Sequence, residues 1–148
     1  MKKQILPTTY FIIFLFLSIL LHFIFPIKKI IFYPYNQAGW LFILFGAVLN
    51  IWADKLFKKN KTTVKPNKKP TELITISPFK VSRHPMYLGM TAILFGVALL
   101  HSSLVGFIFP IIFIILIGIL FIPLEEKNMQ ETFGKKYINY KKKVRRWI

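Results

Sequence analysis

The sequence predicts an all-α fold: an integral membrane helical bundle of about four transmembrane helices with an amphipathic helix at its carboxy-terminal end. Three observations predict it. The 148-residue chain is 55% hydrophobic and 17% aromatic, an extreme that soluble domains rarely combine with many charges. Its apolar residues fall into four runs, each near the ~20 residues that cross a hydrocarbon core, and the length leaves room only for short connections. Of its 21 Lys and Arg, 17 lie in two segments, 55–83 and 127–146, that border those runs. Residues 1–148 form a single membrane-embedded domain on this reading, with two amino-terminal spans ahead of a half from about 71 to 148.

The first span runs from about Thr8 to Phe25 and is almost entirely Phe, Ile and Leu, so apolar surroundings are expected on every side. Met1-Lys2-Lys3 ahead of it resembles a signal peptide, but the apolar run is too long and has no small-residue cleavage site, so it is expected to be retained. His22 is expected at the interface. The second span, about Gly39 to Phe57, carries Asn50 and Asp54 near its end, with Asp54 expected to pair with a nearby Lys. Lys58 to Pro70 is Lys, Asn, Thr and Pro, the composition of a solvated loop. Thr71 to Phe79 is too short to span and too apolar to float, and should lie against the membrane mouth of the protein.

Pro85 suits the first turn of a third span, which ends near Leu100. His101-Ser102-Ser103 reads as a tight, solvated turn, and Leu104 to Ile122 returns as the fourth span with a kink expected at Pro110. Beyond Pro123, residues Glu126, Met129, Phe133, Tyr137, Tyr140, Val144 and Trp147 recur at intervals of three and four, which is one face of a helix. Lys127, Glu131, Lys135, Lys142 and Arg146 fall on the other face, and Gly134 marks a break.

The formal net charge is +16. Because the basic residues flank membrane runs, the charge is explained by an anionic cytoplasmic surface without invoking nucleic acid. Lys28 and Lys29 alone lie on the opposite side, so both termini and the 58–83 segment are expected to face the cytoplasm. There is no cysteine, which excludes disulfides, thiolate metal ligands and a covalent Cys intermediate. No metal is called for.

Two polar clusters should meet at the cytoplasmic ends of the third and fourth spans, which the short 101–103 turn makes neighbours. They are Ser82-Arg83-His84-Pro85-Met86-Tyr87-Leu88-Gly89 and Glu125-Glu126. Adjacent carboxylates at the mouth of an apolar helix repel each other and are costly to desolvate unless cations or donors meet them. Arg83 and nearby Lys can supply these. A bound ligand can do so too, with Arg83 forking onto a carboxylate, Glu125 or Glu126 meeting an ammonium or hydroxyls, and Gly89 allowing close backbone approach. Tyr87 and Tyr137 offer aromatic surface for a flat ring or a cation.

The string Arg83 to Gly89, followed after one helical hairpin by Glu125-Glu126 and then by Phe133-Gly134, Tyr137, Tyr140, Val144 and Arg146-Trp147, resembles the isoprenylcysteine carboxyl methyltransferase family, which shares this half with phospholipid methyltransferases. That resemblance implies a helical membrane enzyme that binds S-adenosylmethionine in a cytoplasm-facing pocket capped by the carboxy-terminal segment. It implies one wall built by Arg83, His84, Pro85, Tyr87, Leu88 and Gly89 and another by Glu125 and Glu126, with Tyr137 nearby. Arg83, His84 and Glu126 are the expected catalytic groups, and a lipophilic small molecule or lipid the expected acceptor. Arg83 or Arg145 would orient a carboxylate acceptor, whereas Glu126 or His84 would serve as base for an amine or thiol. A nicotinamide-dependent membrane reductase and a non-enzymatic membrane interaction protein are the competing readings.

Overall fold

The computed structural model describes residues 6–24, 30–62 and 70–148, and the regular structure among them is helical. Six α-helices follow in order: α1 (Pro7–Ile24), α2 (Gly39–Lys59), α3 (Pro85–His101), α4 (Ile108–Leu120), α5 (Ile122–Phe133) and α6 (Lys135–Lys143). Short 3-10 turns at Tyr35–Ala38 and Leu104–Phe107 lead into α2 and α4. Three stretches are long and apolar enough to cross a membrane: Pro7–Ile24, Tyr35–Lys59 and Leu104–Phe133. The fourth apolar helix, α3, has 17 residues and is about 26 Å long at 1.5 Å per residue. The spans expected at 8–25 and 39–57 are α1 and α2. Lys2, Lys3, Lys28, Lys29 and residues 63–69 of the basic loop lie outside the described residues.

Helix α3 is the centre of the bundle. α1, α2 and α4 each pack on it, whereas among the described residues the backbone of α2 does not come close to that of α1 or of α4. Leu94 and Ala98 of α3 are fully buried, as are Phe113 and Ile117 of α4. The tightest contact is with α2, through glycines spaced two helical turns apart. Gly46 meets Gly89 and Gly39 meets Gly96. A Cβ on Gly89 would stand 2.6 Å from the Asn50 amide nitrogen and 2.8 Å from the Gly46 carbonyl oxygen. Lipid tails are as apolar as Leu, so helices gain little by excluding them, and backbone proximity of this kind is what holds a membrane pair together.

Pro85 occupies the start of α3, and Ser102 ends it in the left-handed region with its N–H on the Ala98 and Leu99 carbonyls. The turn forms as expected, but His101 is half-buried. It stacks on His22, with ring centroids 4.4 Å apart and planes within 9°, because the last turn of α1 passes beside the end of α3. The kink expected at Pro110 also falls elsewhere. The chain changes from 3-10 to α at Ile108, so Pro110 sits in the first turn of α4, where its missing N–H leaves no bond unmade. The break comes at Phe121 (φ −108°, ψ −48°), just before Pro123, and separates α4 from α5.

Asp54 pairs with Lys58 at 2.6 Å, one turn on in α2. Gly134, at φ +50°, separates α5 from α6. Tyr137 and Tyr140 turn inward onto Ala53, Ile74 and Phe79, so α6 and the 71–79 segment lie on the protein. After Lys143 the backbone becomes extended at Val144 (φ −120°, ψ 130°) and helical phase is lost. That loss explains one departure: Arg146, expected on the outer face, turns inward to Glu126.

Candidate functional site

At the end of the bundle where α3 and α5 begin, a partly enclosed cavity of about 230 Å³ is lined by residues from six parts of the chain. Arg83 to Tyr87 and Met90 form one wall, with Glu125, Met129, Tyr137 and Tyr140 opposite. Glu72, Leu73, Ile74 and Phe79 roof it, and Leu6, Pro7 and Thr8 from α1 and Phe57 from α2 complete the rim. The rim therefore spans the gap between α1 and α2.

The local sequence dictates the inner wall. Pro85 fixes the first turn of α3, which leaves His84 just outside the helix, and Ser82 holds the approach: its hydroxyl accepts the His84 N–H at 3.2 Å and donates to the Arg146 carbonyl at 3.3 Å. The Arg83 N–H donates to the Arg145 carbonyl at 3.1 Å. Residues 82–83 and 145–146 are thereby clipped together, and Trp147 packs against the cluster that contains Tyr87. The carboxy-terminal segment is a strap across the site.

The expected meeting of the two polar clusters occurs. Tyr87 donates a hydrogen bond to Glu125. The His84 ring lies parallel to that of Tyr87, within 12°, and its Nδ1 is 3.2 Å from Glu125 Oε2. Glu126 is buried and surrounded by cations: Arg83 Nη2 at 3.0 Å, Lys141 Nζ at 2.9 Å and Arg146 Nε at 3.2 Å. Charge-assisted bonds of this number are what a buried carboxylate requires. Burial alone would keep the His84 imidazole neutral, but hydrogen bonds and charge from Glu125 and Glu126 outweigh it and raise its pKa above the ordinary 6.5. The Tyr137 phenol is pushed up to about 12, by burial first and by Glu126 next, so it remains a hydrogen-bond donor.

Of the residues singled out from sequence, Arg83, His84, Pro85, Tyr87, Glu125 and Tyr137 line the cavity. Glu126 stands behind Arg83 and borders a separate polar pocket with Lys127, Lys141 and Arg146. Leu88 and Gly89 are not brought to the cavity. Leu88 lines an apolar groove between α2 and α4, and Gly89 is filled by α2. Arg145 is exposed and does not line the cavity. Ser82, Met86 and Met129 were named from sequence only as members of the cluster and the stripe, and Lys141, Glu72 and Met90 were not singled out. Glu72 carried a signal, being the single acidic residue between Lys55 and Arg83.

Two buried nitrogens of Arg83, Nε and Nη1, have no hydrogen-bond acceptor among the described residues, whereas His84 Nε2 faces Glu126 Oε1 at 3.7 Å. Buried donors are ordinarily satisfied, so unsatisfied ones on a cavity wall mark a place for an acceptor.

An all-helical membrane bundle with an ionic, aromatic cavity at one end defines a polytopic membrane protein with a polar cavity meeting an apolar rim. Residues 35–136 match the phospholipid methyltransferase family, and the chain belongs to that family of phospholipid and isoprenylcysteine methyltransferases. An uncharacterized protein of Haemophilus influenzae is 38% identical over 63 residues, covering 43% of this chain and all of that protein. No solved structure matches.

Proposed function

We propose that the protein is an S-adenosylmethionine-dependent methyltransferase acting on a lipophilic acceptor, with its cavity at the cytoplasmic face. The observation that carries this reading is the pair of orphaned donors on Arg83, in a cavity that also offers carboxylate and aromatic groups. The residues present fit the methyl donor. Arg83 Nε and Nη1 suit its carboxylate, Glu125 its ammonium, and Phe79, Tyr137 and Tyr140 its flat base. When bound, that group supplies an electrophilic methyl on a sulfonium.

The chain's own work is to bind, to align and to exclude water. Glu126 fixes Arg83 by occupying Nη2, which leaves the other guanidinium edge free. His84 and Tyr87 hold the Glu125 carboxylate in place. The strap, clipped at Ser82 and Arg83 and tied to Glu126 through Arg146, covers the polar end. An acceptor reaches the same cavity sideways from the bilayer, through the gap between α1 and α2. A water-soluble donor and a membrane-soluble acceptor then meet at the interface, which accounts for the membrane location of the site.

Retention of labelled S-adenosylmethionine by detergent-purified protein tests the reading, with NADPH as comparison. Retention of the methyl donor, lost in Arg83→Gln and weakened in Tyr87→Ala, is expected. Tight NADPH binding with no retention of the methyl donor would point to a reductase instead.

A further inference from the structure

The end of the bundle away from the cavity holds a second group of buried polar atoms without partners. We propose that His22 and His101 there form a proton-sensitive latch, which holds the outer end of α1 on α3 while both rings are neutral and releases it when they are charged. The inference stands apart from the methyltransferase reading.

Ser18 and His22 lie four residues apart and so share one face of α1. His101, Ser102 and Ser103 close α3, and the two imidazoles stack with centroids 4.4 Å apart. The Nδ1 atoms of both rings and the hydroxyls of Ser18 and Ser103 are buried with no hydrogen-bond partner among the described residues. Asn36 adds a buried Oδ1 of the same kind, while its amide nitrogen donates to the Leu100 carbonyl at 3.3 Å.

A neutral imidazole is at home in such a place, but an imidazolium finds no counter-ion. All five carboxylates belong to the other end: Asp54 is in the last turns of α2, Glu72 lines the cavity, and Glu125, Glu126 and Glu131 are on α5. The elements that face the pair add no charge either. Residues 7–24, 30–53 and 85–124 contain no Asp, Glu, Lys or Arg, and Tyr33 and Tyr35 ahead of α2 are exposed. Lys28 and Lys29, which follow α1 in the chain, are cations and cannot serve. One proton on the stack therefore places a half-buried charge without a partner, and a second adds repulsion across it. The docked pair binds fewer protons than the separated pair. The contact is thus strongest above the ordinary histidine range, about pH 6.5, and weakens as pH falls through it.

What the latch moves follows from the rest of α1. Its middle rests on α4 through Phe11 on Phe113 and Phe14 on Phe109 and Phe113, and its first residues, Pro7 and Thr8, stand on the cavity rim. Release of the outer end lets α1 tilt about the phenylalanines, and the rim moves with it.

The test uses the full chain in nanodiscs, where the lack of cysteine leaves engineered labels without background. Spin labels on Phe23→Cys and Leu104→Cys, both exposed positions, report the separation of α1 from the end of α3. Between about pH 8 and pH 5 that separation should grow by about 5 Å, the size of a one-turn shift, and return on neutralisation. His101→Phe keeps a flat ring that cannot charge, and should hold the neutral separation in acid. An outer separation that is the same at both pH values, or one that opens equally in His101→Phe, overturns the latch. A second pair, Thr8→Cys with Leu124→Cys, should shift in the same step, and an inner pair that stays still while the outer one opens overturns the coupling to the rim. Where His101→Phe does not fold, His84→Gln leaves only the two latch histidines, and NMR of labelled histidine decides: opening that follows their charging supports the proposal, and opening without it refutes it.

Discussion

Arg83 does two jobs with one planar group: Nη2 on Glu126 and a free edge toward the cavity. Lysine can replace the charge but not the fork. Arg83→Lys is therefore expected to keep the fold, with a thermal midpoint near that of the parent, while weakening donor retention by roughly tenfold to a hundredfold, about 1.5–3 kcal/mol for a bond to a charged group. Equal retention would remove the guanidinium from the donor site. His84 gives a pH prediction. Its folded pKa is above its unfolded value, so its stabilising contribution is complete below about pH 6.5 and disappears as pH rises through the folded value. Between pH 6 and pH 9 the parent should lose stability relative to His84→Gln, and superimposable melting curves across that range would contradict the bridging role. At this scale the sequence was informative where chemistry is rare. Two adjacent carboxylates beside an arginine-histidine turn were visible because acidic residues are so few. Pairing of Glu126 with Arg83 and a nearby Lys was expected, but that Lys141 and Arg146 would supply the other two cations was not visible, since they reach it only after the chain turns back at Gly134 and straightens at Val144.

Among the elements, α2 and α3 make the contact on which the cavity depends, since α3 carries its inner wall. Gly89→Val should drive the two helices apart, at a cost of roughly 1–3 kcal/mol or more for overpacking. Gly118→Val in α4, where an added Cβ meets nothing within 4 Å, should leave the thermal midpoint unchanged. Comparable losses in both variants would mean that the glycine pairing is not what joins α2 to α3. Helix ends were legible because Pro85 and Gly134 act locally, through a missing N–H and a positive φ. Pairings were not. Gly89 was read as a place for a ligand because a glycine announces close approach without saying what approaches, and here it is the backbone of Gly46. The same holds for His101, whose neighbour on α1 is 79 positions away in the chain.

For the molecule as a whole, hydropathy and the grouping of basic residues were sufficient to give the number and order of apolar helices, because membrane crossing constrains length and composition directly. The same grouping predicts the sidedness, which is open to measurement. The chain has no cysteine, so single cysteines report without background. In sealed vesicles of known orientation, a cysteine at Lys142 should react with a membrane-impermeant thiol reagent only from the cytoplasmic side, and one at Leu104 only from the other. The reverse pattern would invert the topology and detach the cavity from the compartment that supplies the methyl donor.

Among the described residues the backbone of α1 comes close to α3 and α4 but not to α2, and α1 lies ahead of residue 35, where the family match begins. Yet its first residues, Leu6, Pro7 and Thr8, form part of the rim through which an acceptor would pass. The matched region, residues 35–136, holds Arg83, His84, Tyr87 and Glu125 of the cavity wall, while this doorpost lies outside it. Exchanging that doorpost between relatives should change which tails are admitted and leave the affinity for the methyl donor where it was.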